Sequence, residues 1–192
     1  VNAPLFFFAQ DRQVAEEAWP GDVIGIANHG VLRIGDTLTE GEALTFRGVP
    51  SFAPEILRAI RLEDPMLAKK LRTALDQLAD EGVVQVFRPR DGSAAVIGVV
   101  GQLQLDVLAS RLRVEYGIPV GFDGTRWESV RWVAGTTAEI ERFVAADRAD
   151  VADDHDGELV AFFSSDWRRR RVEEEWPALR FLAVREQHGL GP

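Results

Sequence analysis

The chain has 192 residues, 46% of them hydrophobic and 28% charged, a balance ordinary for a globular protein with room for one large domain or two small ones. Its formal net charge of −9 and pI near 4.9 exclude tight binding of naked nucleic acid over the whole surface and leave only local basic faces for that role. Cysteine is absent, which excludes disulfides and thiolate metal sites and fits a cytoplasmic protein. No apolar run approaches the ~20 residues of a membrane helix.

Residues 1–47 read as short strands. Residues 5–9, 23–27, 31–34 and 43–46 carry the apolar side chains, and Gly21-Asp22, Asn28-His29-Gly30 and Gly35-Asp36 supply the turns. Four short strands do not close a barrel, so this segment is expected to be part of one, with open edges. Two prolines mark residues 48–54 as a linker. Residues 55–62 are then a strand, and Asp64 with Pro65 opens a helix running towards Asp80. Leu67, Leu71, Ala74, Leu75 and Leu78 share one face of that helix, and Gly82 suits its C-terminal cap. Strands over 83–87 and 94–100 follow, joined by Arg88-Pro89-Arg90-Asp91-Gly92. A second helix over 103–116 has Leu105, Leu108 and Leu112 on one side, and 118–122 is a closing strand. The order is βαββαβ, the ferredoxin-like pattern, over residues 55–127.

Residues 128–192 repeat the theme less regularly and are expected to form a second small α/β subdomain. A strand over 130–134 precedes a capping box, Thr136-Thr137-Ala138-Glu139, and a helix with Ile140, Phe143 and Val144. Residues 147–156 read as a solvated acidic loop and 158–163 as a strand. Ser164 or Ser165 caps a helix that ends near Trp176, and 179–184 is the last strand. The fold class is α+β: a partial β-barrel segment, a ferredoxin-like unit and this second subdomain.

Few residues of the chain stand in patterns that carry chemistry. A phosphate-binding loop needs a glycine run leading to a lysine, whereas Lys69 and Lys70 stand in a helix without one. Gly98-Val99-Val100-Gly101 is a short glycine pair that suits tight backbone packing. Placing Gly157 at the sixth position of a calcium loop puts Ala152 first and Phe163 twelfth, where carboxylates are required. His29, His155 and His188 are far apart, and no Gly-x-Ser-x-Gly turn is present. No catalytic, cofactor or metal residue is expected. The basic clusters are the candidates: Arg58, Arg61, Lys69, Lys70 and Arg72 around the first strand and helix, and Arg88 and Arg90 flanking a turn. Arg111 and Arg113 lie on the second helix. The run 168–171 is followed by Glu173-Glu174-Glu175, and pairs such as Arg169 with Glu173 favour a solvated, self-neutralised helix.

Several motifs carry a family resemblance. Pro20-Gly21-Asp22 with Ile34-Gly35-Asp36-Thr37-Leu38 resembles the end of the second-domain barrel of translational GTPases. Phe52-Ala53-Pro54-Glu55, Arg61-Leu62-Glu63-Asp64-Pro65, residues 81–89 and the glycine turn with Leu105-Asp106-Val107 resemble the bacterial peptide chain release factor three family. Arg111-Leu112, Glu115-Tyr116 and Arg131-Trp132-Val133 continue the resemblance in the same order. It implies a C-terminal portion of a translation termination GTPase. GTP or GDP is expected in a preceding domain, and none in this chain. Its expected partners are the small ribosomal subunit, through ribosomal RNA and protein, and indirectly the stop-codon-reading release factors; no membrane is expected. Arg58, Arg61, Lys69, Lys70, Arg72, Arg88 and Arg90 are candidate ribosome contacts inferred from the sequence rather than carried over from the family. The competing readings are the same region of an elongation factor and a stand-alone α/β enzyme, which would show a deep pocket holding a raised-pKa carboxylate.

Overall fold

The computed structural model describes residues 5–8, 11–14, 17–27, 32, 34–42, 44, 46 and 50–186. The chain divides into two compact units, Val1–Arg33 and Ile34–Pro192. The turn expected at 28–30 with His29, parts of the strands expected over 31–34 and 43–46, and residues 187–192 with His188 lie outside the described residues.

In the first unit, β1 (Leu5–Phe8), β2 (Asp11–Val14) and β3 (Ile24–Gly25) form an antiparallel sheet in the order β2-β1-β3. The turn Trp19-Pro20-Gly21-Asp22 has a local cause. Pro20 presets the first central residue, and Gly21 takes φ +102° at the second, where a side chain would be strained. Asp22 then donates its N–H to the Trp19 carbonyl at 2.9 Å and accepts the Trp19 N–H on Oδ2 at 2.7 Å.

In the second unit the first repeat runs β5 (Ile56–Leu62), α1 (Ala68–Asp80), β6 (Gln85–Pro89), β7 (Val96–Val99), α2 (Gln102–Val114) and β8 (Val120–Gly124). The next runs β9 (Ser129–Ala134), α3 (Thr137–Ala146), β10 (Val151–Asp153), β11 (Leu159–Phe163), α4 (Asp166–Glu175) and β12 (Arg180–Leu182). Their eight strands form one antiparallel sheet, in the order β12-β9-β11-β10-β6-β7-β5-β8. Within each repeat the spatial order is fourth, first, third, second. The subdomain expected to be a looser α/β unit is therefore a second ferredoxin-like repeat. The two join through their second strands, where Ala152 pairs with Pro89 and Asp153 with Arg88.

Two expected loops are strands. Residues 147–156 contain a 3-10 turn, Arg148–Asp150, and then β10 at the seam. In the expected linker, β4 (Pro50–Phe52) pairs with β13 (Val184–Glu186), and the expected last strand is split by this second pairing. Helix α1 begins through a 3-10 turn, Pro65–Leu67, capped by Asp64 Oδ1 accepting the Met66 N–H at 2.9 Å. It ends in a Schellman motif: Gly82 at φ +69°, Gly82 N–H to Ala79 O and Val83 N–H to Leu78 O.

Three apolar clusters hold the unit. Leu71, Leu75, Leu78, Leu105, Leu108 and Leu112 from α1 and α2 pack on Ile60, Val86 and Ile97 of the first repeat's strands. Phe143 and Val172 do the same against Leu159, Ala161 and Phe163 in the second. The opposite strand faces share a third cluster: Leu57, Phe87 and Val96 with Val130, Trp132, Val160 and Phe162. The rings of Phe87 and Phe162 meet edge to face at 5.8 Å. Strand β11 is buried at all five positions because alternate side chains enter different clusters. Gly98 is a packing glycine: a Cβ there would lie 2.6 Å from Pro54 and 2.8 Å from Phe87.

Candidate functional site

The seven candidate cations divide by their partners. Arg58 on β5 is half-buried and donates from Nη1 to the adjacent Leu57 carbonyl at 2.9 Å. Arg61, exposed on the same strand, lies 3.2 Å from Asp123 on β8. Arg88 pairs with Asp76 of α1, and Arg90 Nε donates to Asp153 Oδ1 at 3.0 Å. Lys69, Lys70 and Arg72 project from the start of α1, all exposed. No ion pair to these three is found among the described residues.

Arg88 and Arg90 thus belong to the seam between the repeats. On the same seam, His155 from the β10–β11 turn sets Nε2 2.8 Å from Asp80 Oδ1 and Nδ1 3.6 Å from Asp76 Oδ1. Its side chain is 19% exposed, so the acidic loop is docked rather than solvated. Asp154 is buried. Its Oδ1 accepts the Asp156 and Glu158 N–H groups at 2.9 Å each, and its Oδ2 accepts Trp132 Nε1–H at 2.8 Å. Arg185 closes over Trp132, 5.8 Å from its ring, and pairs with Asp156. The i,i+4 spacing of Asp76 and Asp80 was visible in the sequence, but it carried no hint that a histidine 75 residues later would meet Asp80.

The outward helix faces differ between the repeats. On α2, Leu103, Val107 and Val114 are 74%, 45% and 74% exposed, opposite the buried Leu105, Leu108 and Leu112. Beside this stripe Arg111 bridges Glu81 at 2.6 Å and Glu115 at 2.7 Å. The hydrogen bonds that Arg111 donates to Glu115 and Glu81 hold its guanidinium pKa well above the ordinary value, and Arg111 in turn lowers Glu115. On α4 Arg169 bonds Glu173 at 2.7 Å and Arg171 bonds Glu175 at 2.8 Å, both i,i+4 pairs. Arg168 reaches Asp147 at 3.1 Å.

Asp147 is the carboxyl that would fit the enzyme reading, since burial raises its pKa. Yet the cleft it lines with Phe143, Phe163, Val172 and its own partner Arg168 has a volume of only about 10 Å3. Ligand pockets span roughly 300–1,000 Å3. Among the described residues no cluster of His, Asp and Glu is arranged to hold a metal ion, and no helix is long and apolar enough to cross a membrane.

Residues 1–41 match elongation factor G domain 2, which accords with the strand-and-turn first segment. Residues 46–173 match the C-terminal domain of class II release factor RF3, and that span covers both sheet repeats through most of α4. The chain is the C-terminal portion of a translational GTPase and belongs to the class II release factor RF3 family.

Proposed function

We propose that this region is the ribosome-binding part of a GTPase that promotes GTP-dependent dissociation of stop-codon-reading release factors from the ribosome. The match of residues 46–173 to the RF3 C-terminal domain carries this reading and favours it over the corresponding region of an elongation factor. Nucleotide binding and hydrolysis then belong to a domain outside this chain, and the protein works in the cytoplasm. In this role the region acts as an arm. Its ribosome contacts must differ in free energy between the GTP and GDP arrangements of the whole protein, because a partner bound equally in both shifts neither. With a net charge of −9, contacts to the ribosome are local. The test is co-sedimentation of the chain with small ribosomal subunits, with calorimetry against GTP and GDP alongside. Sedimentation with subunits and no nucleotide binding is the expected result. Micromolar nucleotide binding, or no association with subunits, contradicts it.

A further inference from the structure

Resting on that reading, we propose that Lys69, Lys70 and Arg72 form a contact for the phosphate backbone of ribosomal RNA, while the other predicted cations serve the fold. The first support is local charge. Three exposed cations fall within residues 69–72, and no ion pair to them is found among the described residues. Elsewhere among the described residues Arg61, Arg90, Arg111 and Arg169 pair with carboxylates, whereas exposed arginines without an ion pair, such as Arg113, Arg142 and Arg180, are separated from one another along the chain. In a protein with a net charge of −9, residues 69–72 gather three such cations within four positions.

The second support is that these charges do not help the helix that carries them. The Asp64-capped 3-10 turn leads into α1, whose own first turn contains Lys69 and Lys70 and no acidic residue, so these cations gain nothing from the helix dipole. The equivalent helix of the other repeat, α3, starts with the Thr136–Glu139 capping box and Glu139 in its first turn. Both helix entries are capped by an acidic side chain, but only α1 follows its cap with two lysines, which no contact within the fold requires.

The third support is the kind of cation. Lys69 and Lys70 are the only lysines in the chain. An ammonium group is a compact point charge suited to phosphate, whereas lysine is depleted in protein–protein contact surfaces. Lys70 also lies over the turn that ends α2, its Nζ 3.9 Å from where a Cβ on Gly117 would stand, so the surface joins two elements.

The experiment measures the affinity of the chain for small ribosomal subunits across a salt series. Each lost phosphate contact should flatten the slope of log affinity against log salt by roughly one unit. The variant Lys69→Ala/Lys70→Ala/Arg72→Ala should lose up to about three units of slope. Its unfolding midpoint should match the parent's. Arg169→Ala/Arg170→Ala/Arg171→Ala removes the same charge from α4 and should keep the parental slope. Lys69→Arg/Lys70→Arg should keep it too. An unchanged slope in the α1 variant, weaker binding without a slope change, or equal flattening in the α4 variant overturns the proposal while leaving the functional reading in place. Failure of every version to sediment overturns the functional reading and this proposal with it.

Discussion

In the first repeat α2 buries Leu105, Leu108 and Leu112 and turns Leu103, Val107 and Val114 to solvent; in the second, the equivalent α4 buries Val172 and turns arginines and glutamates outward. The first crossover helices differ in the same sense, α1 opening with an Asp64-capped 3-10 turn followed by lysines and α3 with a capping box. Strand order, antiparallel pairing and inward apolar positions are shared. The repeated core pattern therefore accounts for the topology, and the outer faces are where the repeats have been given different work. The first repeat shows a cluster of cations with no ion pair among the described residues and an apolar stripe on α2, whereas in the second the α4 arginines Arg168, Arg169 and Arg171 pair with nearby carboxylates.

The largest expected effect tests whether the repeats stand or fall together. Phe87 and Phe162 come from different repeats and meet in the shared cluster. Phe162→Ala should cost about 3–5 kcal/mol in urea unfolding. The second unit should also still melt in one transition. Separate transitions for the two repeats would break the comparison at its base. Next in size is a contrast within one helix. Leu105→Ala should cost about 2–5 kcal/mol because Leu105 is buried. Leu103→Ala, two residues away on the exposed stripe, should stay within about 0.5 kcal/mol. Similar losses at both positions would contradict the two-faced reading of α2.

A smaller effect sharpens the difference between α1 and α3. Thr136→Ala should cost about 1 kcal/mol, because it removes the hydroxyl that accepts the Glu139 N–H. Hydrogen bonds from Thr136 lower the Glu139 pKa, so the folded state holds its proton more weakly than the unfolded chain. That contribution is complete above the ordinary glutamate value and is lost as pH falls through the lowered folded-state value. The stability gap between wild type and Thr136→Ala should therefore narrow in acid. A gap that is constant with pH would sink the charged capping box.

Much of the fold was legible from local chemistry. The leucine spacing of α1, Asp64 with Pro65, Gly82 and the Thr136–Glu139 box each state a helix and its ends in adjacent residues. What escaped is non-local. Strand β10 hides among Asp147, Asp150, Asp153, Asp154 and Asp156, and reads as solvent-facing until Arg90, Trp127, Trp132 and Arg185 supply partners from elsewhere. Its loss also concealed the second ferredoxin-like repeat and the β6–β10 seam. The seven candidate cations were visible as residue types, but their division was not. Arg88 and Arg90 are drawn into the seam by Asp76 and Asp153, the latter 63 residues after Arg90. The outward stripe of α2 was readable at i, i+4 and i+11 and was masked by the stronger inward leucines.

Because both lysines of the chain stand at the start of α1, a lysine-acetylation footprint reads the proposed ribosome face directly. The chain would be acetylated free and bound to small ribosomal subunits, with Lys69 and Lys70 quantified by mass spectrometry. The account predicts strong protection of both lysines in the complex, lost at high salt together with binding. Equal modification of Lys69 and Lys70 in free and fully bound chain would contradict it.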